Sequence, residues 1–219
     1  PIFEQAFMLR GFENFLIDLT VNPDFACELM DRLTEIAINM IEEGLKACGS
    51  YLQILRLAGD DMGHQQGTIL SPNMFRDLIK PRFSRLYGAA KKMFLDINPE
   101  GRLMAHTDGD VYQLIPDYIE MGLDVLNPVQ PHVTNMDHRQ LKKEFGDKLS
   151  FHGAIDIQRL LPFGTVEEVK REVRATIYNL GQRGGYIVAP THYLQADVAP
   201  ENILALRDAV LEYGNYPLH

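Results

Sequence analysis

Apolar residues along the chain recur at two spacings, one typical of helices and one typical of buried strands. Between residues 23 and 48 they return every three or four positions, which predicts a long amphipathic helix. Helix starts are also marked by Ser71 with Pro72, and by Thr165 with Glu168 as a capping box. The predicted helices cover residues 23–48, 72–93 with a kink at Pro81, 111–121, 136–145, 165–180 and 200–214.

Five shorter apolar runs lie between these helices and have the length of buried strands. They occupy residues 51–61, 103–110, 123–128, 149–156 and 184–192. Strands separated by helices of this length predict βαβ units and one parallel sheet. No repeat, low-complexity segment or linker interrupts the alternation, so residues 1–219 are predicted to form one domain.

Each predicted strand changes from apolar to polar residues at its carboxyl end. The end residues are Asp60 and Asp61, His106 and Asp108, Asn127 and Gln130, His152 and Asp156, and His192 and Tyr193. A (β/α)8 barrel builds its active site from such ends, whereas a doubly wound sheet uses one switch point and a glycine-rich phosphate turn, which this sequence lacks. The pattern therefore predicts an α/β fold, a TIM barrel that is incomplete here because residues 1–22 can supply at most part of one further strand.

Composition narrows the classes of function. The chain is 46% hydrophobic and 23% charged, and no apolar run approaches the ~18 residues that span a bilayer, so we expect a globular chain without a membrane partner. A net charge of -9 argues against a nucleic-acid partner and favours a small-molecule substrate. Cys27 and Cys48 form no CxxC pattern, so neither a disulfide framework nor a cysteine-rich metal site is predicted, and a cytoplasmic location fits best.

Five motifs, in order, resemble the uroporphyrinogen decarboxylase (URO-D) superfamily over residues 10–216. They are GDDMG, HTDGD, LIPDYIEMGLDVLNPVQ, FGDKLSFHGAID and GGYIVAPTHYLQADVAPENILAL. The resemblance implies a TIM barrel, often a homodimer, with its cleft at the strand ends. It also implies two reactions: cofactor-independent decarboxylation of the acetate side chains of uroporphyrinogen, or zinc-dependent methyl exchange with a corrinoid protein.

The resemblance assigns roles to particular residues. His192 matches the histidine that decarboxylases keep after their last strand, although Pro190 and Thr191 precede it where glycine is usual. Thiol-directed methyltransferases hold zinc through His-x-Cys and a later Cys, where this chain has His106 and Asp108 and then His192. Zinc accepts these nitrogen and oxygen ligands, but a site without thiolate predicts no tightly bound zinc.

Simpler explanations compete with several of these assignments. Asp108 or Asp156 could cap the helix or turn that follows it, and His152 could be a hydrogen-bonded core residue. Asp60 and Asp61 are adjacent and point to opposite sides of a strand, so only one can face a pocket. Another histidine, at position 138, is predicted to be solvated.

The residues lead to a ranked prediction. Decarboxylation stands narrowly first, with His192, His106 and Asp108 as catalytic groups and the other strand-end residues binding substrate. Corrinoid-dependent methyl transfer on a methoxy or methylated substrate is the alternative, and a non-catalytic truncated barrel is the third reading. Either enzyme requires His106, His152 and His192 to converge on one concavity.

Overall fold

Five parallel strands form the main sheet of the computed structural model, which describes residues 1–218. The strands are β1 (Ile54–Leu57), β2 (Gly63–His64), β3 (Gly67–Thr68), β4 (Arg102–His106), β5 (Val125–Val129), β6 (Ser150–Ile155) and β7 (Tyr186–Pro190). The order of the main sheet is β1-β4-β5-β6-β7, and every neighbouring pair is parallel, as predicted. A doubly wound sheet would reverse its order at a switch point, so the sequential order is that of a partial TIM barrel.

Helices precede and connect the strands of this sheet. They are α1 (Phe3–Arg10), α2 (Phe12–Val21), α3 (Pro23–Cys48), α4 (Pro72–Met74), α5 (Lys80–Ile97), α6 (Ile115–Glu120), α7 (His138–Phe145), α8 (Leu160–Phe163), α9 (Val166–Gly181) and α10 (Pro200–Tyr213). The first 22 residues, expected to hold part of a strand at most, instead contain α1 and α2. Within residues 1–218, no helix is both long enough and apolar enough to cross a membrane.

Local sequence signals account for several helix boundaries. The Thr165 hydroxyl accepts from the backbone N–H of Glu168, whose carboxylate accepts from the N–H of Thr165, so the predicted capping box is confirmed. Pro81 lies in the first turn of α5, directly after a π-helical segment, Phe75–Ile79. Because proline cannot donate to the preceding turn, the helix widens at this position instead of continuing regularly from α4.

The first strand is shorter than the sequence predicts. Strand β1 ends at Leu57, and the chain then turns into the unpredicted hairpin of β2 and β3, which pair antiparallel. This places Asp60 and Asp61 in the connection after the strand. The hairpin lies against the loop that follows β4, because the N–H of Asp110 donates to the carbonyl of His64 at 2.9 Å.

The two faces of the sheet have different environments. Leu57, Ala105, Leu126 and Phe151 belong to the main hydrophobic core, which fills the space between the sheet and its helices. His106 is in register with Asn127, so their side chains emerge on the same face. A register shift after Leu126 brings the carboxyl end of β5 against β6, and polar side chains converge at this end of the sheet.

Candidate functional site

A cavity of about 300 Å³ lies at the carboxyl ends of the parallel strands. The predicted convergence of His106, His152 and His192 is confirmed, because all three line this cavity. Its other lining residues are Arg56, Asn127, Pro190, Thr191 and Tyr193. The cavity thus collects side chains from β1, β4, β5, β6 and the segment after β7, as expected for a barrel site.

Asn127 joins two of the cavity histidines. Its amide oxygen lies 2.7 Å from Nδ1 of His106, and its amide nitrogen lies 2.7 Å from Nδ1 of His152. Asn127 is 6% exposed, so this bridge is shielded from water, whereas the rings border the cavity. The three side chains form one hydrogen-bonded row across β4, β5 and β6.

A second group of side chains could hold a metal ion. His106, Asp108 and His192 each offer a ligand atom, and these atoms all lie within 4.8 Å of one another. Nε2 of His106 is 3.6 Å from Oδ2 of Asp108, and the two imidazole rings are 6.2 Å apart. Tyr193, which is 76% exposed, packs edge-on against the ring of His192.

The loop that carries Asp108 is fixed by its backbone. The N–H of Asp108 donates to Oδ1 of Asp61 at 2.9 Å, and the N–H of Gly109 donates to the amide oxygen of Gln130 at 2.9 Å. Asp61 and Gln130 were predicted to bind substrate, and in the structure these two oxygen atoms hold the loop in place. The adjacent carboxylate of Asp110 accepts from the N–H of Tyr112, so Asp110 rather than Asp108 caps the following turn.

The two bridged histidines have opposite pKa shifts. Burial lowers the pKa of His106, but the nearby carboxylate of Asp108 and the hydrogen bond to Asn127 outweigh burial, and the pKa is raised above its usual value. Burial also lowers the pKa of His152, and the positive charges of Arg56 and His106 lower it further. The site therefore favours a proton or another cation at His106 more than a free histidine does, and it favours the neutral ring at His152.

Two carboxylates that were predicted to bind substrate, those of Asp60 and Asp156, do not line this cavity in the structure. Asp60 is 4% exposed and accepts hydrogen bonds from the backbone of Ile2 and Glu4, so it fixes the start of α1. Asp156 accepts from the backbone of Gln158 and Leu160, which is the capping role that competed with substrate binding. Because each carboxylate satisfies backbone donors that would otherwise be unpaired, neither turns toward the cavity.

Two further residues differ from the expectation drawn from sequence. Arg56 was not singled out, yet it lines the cavity. The sequence contained a signal for Arg56, because it is the single charged residue within the apolar strand ILRL. His138 was predicted to be solvated, but it is half-buried at the first position of α7, and this burial lowers its pKa.

Comparisons with known proteins give a consistent set of relatives. A family model described as uroporphyrinogen decarboxylase (URO-D) matches residues 2–213. The chain is 27% identical to "Uroporphyrinogen decarboxylase" of Psychrobacter cryohalolentis over 206 residues, covering 88% of this chain and 50% of that protein. It is 26% identical to "Uroporphyrinogen decarboxylase" of Danio rerio over 192 residues, covering 86% and 47%.

A solved structure, "methyltransferase from Methanosarcina mazei", has a similar fold. The TM-score is 0.75 at 19% sequence identity, over 96% of this chain and 56% of that one. The chain spans about half the length of the curated relatives that it matches.

Proposed function

This chain belongs to the uroporphyrinogen decarboxylase (URO-D) family, and from that premise we propose that its cavity is the site of a metal-assisted methyl transfer. The convergence of His106, Asp108 and His192 is the observation that carries the proposal. Two imidazole nitrogens and one carboxylate oxygen are a ligand set that catalytic zinc uses, with a fourth position left for substrate.

The spacing of the ligand atoms fits an ion of this size. Tetrahedral ligands about 2.1 Å from zinc are about 3.4 Å apart, and the separation between His106 Nε2 and Asp108 Oδ2 is 3.6 Å. The third ligand atom, on His192, lies within 4.8 Å of the other two, so reaching tetrahedral spacing requires it to move inward by at most about 1.4 Å. His192 is exposed and follows the end of β7, where such a movement disturbs no core packing.

The surroundings of the three side chains also suit a cation. A histidine that binds metal usually donates its other ring N–H to a fixed oxygen, and His106 has the Asn127 amide oxygen at its Nδ1. Asp61 brings a second carboxylate to within 3.9 Å of His106 Nε2. Within residues 1–218, neither Asp61 nor Asp108 is paired with lysine or arginine, so their negative charge is available to an ion.

The proposed reaction divides tasks among the residues. A bound zinc ion would act as a Lewis acid on the heteroatom that carries the methyl group. His106, Asp108 and His192 would hold that ion, and Arg56 and His152 would contact the rest of the substrate. The bond between the methyl carbon and its heteroatom breaks, its electrons remain on the heteroatom, and the methyl group passes to a nucleophilic acceptor, which in this proposal is a corrinoid on a partner protein.

Decarboxylation of a tetrapyrrole acetate is the second candidate, favoured by the family match and by the names of the curated relatives. It would use His192 to deliver a proton and would need cations to hold the substrate carboxylates. Among residues 1–218, the cavity supplies one arginine, Arg56, while Asp61 and Asp108 lie where they would repel a substrate carboxylate placed beside His106. This charge arrangement reverses the ranking that the sequence alone suggests.

Metal content and two assays separate the candidates. The intact protein, purified without chelators, should contain one zinc per copy, and the ion should be lost in His106→Ala and His192→Ala. His64→Ala is the matched control, because the His64 side chain is exposed, accepts a hydrogen bond from the backbone N–H of Gln66 in the adjacent hairpin, and is not one of the three ligands. Methyl transfer from a methoxy compound to a corrinoid should require the metal; uroporphyrinogen turnover by metal-free protein would overturn the proposal.

A further inference from the structure

The hydrogen bonds of Asn127 determine which atoms of the two histidines carry protons. An amide oxygen can only accept, so Nδ1 of His106 must donate to it. An amide nitrogen can only donate, so Nδ1 of His152 must accept from it. A neutral His152 therefore carries its proton on Nε2, and Asn127 selects this tautomer.

The Nε2–H of His152 is free to donate a hydrogen bond to a ligand in the cavity. Its Nδ1 is occupied by Asn127, its ring lines the cavity, and Nε2 has no hydrogen-bond partner within residues 1–218. Arg56 lines the same cavity and, over the same described range, has neither an ion pair nor a side-chain hydrogen bond. The cavity thus presents an N–H and a guanidinium, both of which can only donate to a ligand.

We propose that Arg56 and the Nε2–H of His152 form a subsite for an anionic oxygen group of the substrate, a carboxylate or phenolate, and that Asn127 keeps His152 in the donor tautomer. The inference rests on the proposed function only for the identity of the reacting group. It adds a substrate class: a methylated compound that also carries an anionic oxygen.

Charge is divided within the cavity in a way that supports this assignment. Asp61 and Asp108 cluster around Nε2 of His106, which is the side proposed for the metal. Arg56 adds positive charge near His152. Burial is the larger cause that lowers the pKa of the His152 ring, and the charge of Arg56 lowers this pKa further. A substrate with an anionic end and a neutral methylated end is therefore oriented by the site, since its anionic end is repelled by the carboxylates and attracted to the donors.

The tautomers can be observed without substrate or metal. Long-range ¹H–¹⁵N spectra of the intact protein labelled at histidine nitrogens, recorded near pH 9, well above the usual histidine pKa of about 6.5, should show His152 protonated at Nε2 only. In Asn127→Asp both carboxylate oxygens accept, so His152 should move its proton to Nδ1 while His106 keeps its Nδ1–H. Protonation of His152 at Nδ1 in the unmodified protein would refute the role of Asn127.

Ligand pairs test the subsite. The intact protein should bind 4-methoxybenzoate about 10-fold or more tightly than methoxybenzene, because a charge-assisted hydrogen bond contributes at this level. Arg56→Gln should remove most of that preference. His152→Gln, whose amide retains a distal N–H, should keep more of it than His152→Glu, which offers an acceptor. Equal affinity for the two ligands, or a preference unchanged in Arg56→Gln, would contradict the subsite.

Failure of the metal site is distinguishable from failure of the subsite. If the protein binds no zinc but still prefers 4-methoxybenzoate through Arg56, methyl transfer is wrong and the anion subsite stands. If zinc binds at His106 and His192 but the preference is absent, the subsite is wrong and the proposed function stands. In the assay with corrinoid, Arg56→Gln should raise KM for 4-methoxybenzoate about 10-fold or more while kcat changes less.

Discussion

Replacing Gly109 with alanine tests whether the Asp108 loop depends on close backbone contact with the β2–β3 hairpin. A Cβ at this position would lie 2.3 Å from the carbonyl carbon of Gly63 and 2.5 Å from the backbone nitrogen of His64. Comfortable contact between such atoms is near 3.5 Å, so the loop must move away by about 1 Å. That movement breaks the hydrogen bond from Gly109 N–H to Gln130 and the one from Asp110 N–H to His64.

The cost of Gly109→Ala can be compared with that of a second glycine. Gly109 has φ +85°, a conformation that costs alanine about 1–2 kcal/mol. Two lost hydrogen bonds add about 1 kcal/mol each, which gives about 3–4 kcal/mol in all. Gly184 has φ +86° with nothing within 4 Å of the added Cβ, so Gly184→Ala carries only the conformational cost.

Urea unfolding of the two variants of the intact protein measures this difference. Gly109→Ala should lose about 2 kcal/mol more of the free energy of unfolding than Gly184→Ala. Zinc affinity should fall in Gly109→Ala alone, because the displaced loop carries Asp108. Equal destabilisation of the two variants, with equal zinc affinity, would refute the close contact as the feature that positions the loop.

Three further predictions concern stability. Burial raises the pKa of Asp117, but hydrogen bonds and ion pairs with Arg76 and Lys80 outweigh burial and lower it. The stabilisation of the fold by this carboxylate is therefore complete above its ordinary pKa of 3.8 and is lost as pH falls through the depressed pKa of the folded state. Asp117→Asn should make the free energy of unfolding depend less on pH in this acid range. Phe151→Ala, which opens a cavity beside the central strands, should cost about 3–5 kcal/mol in urea unfolding. Thr165→Ala should lower the free energy of unfolding by about 1 kcal/mol, and Thr165→Ser should restore most of it.

The parallel sheet could be predicted because local patterns and global topology agree. The helix over residues 23–48 was predicted with its observed bounds, since its apolar spacing and its proline start are both local signals. The short hairpin of β2 and β3 was missed because two-residue strands carry no measurable alternation. The helices within residues 1–22 were missed because this segment was expected to hold at most part of one strand.

The sequence predicts where the candidate site lies, but it does not predict which role each of its residues has. Strand ends of a barrel point toward a common axis, so the meeting of His106, His152 and His192 followed from topology. Whether a carboxylate faces the cavity depends on nearby backbone donors, which sequence does not reveal. The carboxylates of Asp60 and Asp156 each accept hydrogen bonds from nearby backbone N–H groups, whereas the carboxylate of Asp108 lies beside His106.

The most direct test of the central claim is zinc K-edge X-ray absorption of the intact protein after equilibration with one equivalent of zinc. The claim predicts a first shell of nitrogen and oxygen at about 2.0–2.2 Å, with two imidazoles and no sulfur, and loss of one imidazole in His192→Ala. Coordination by sulfur, or a spectrum of hydrated zinc that His192→Ala and His106→Ala leave unchanged, would contradict a metal site built from His106, Asp108 and His192.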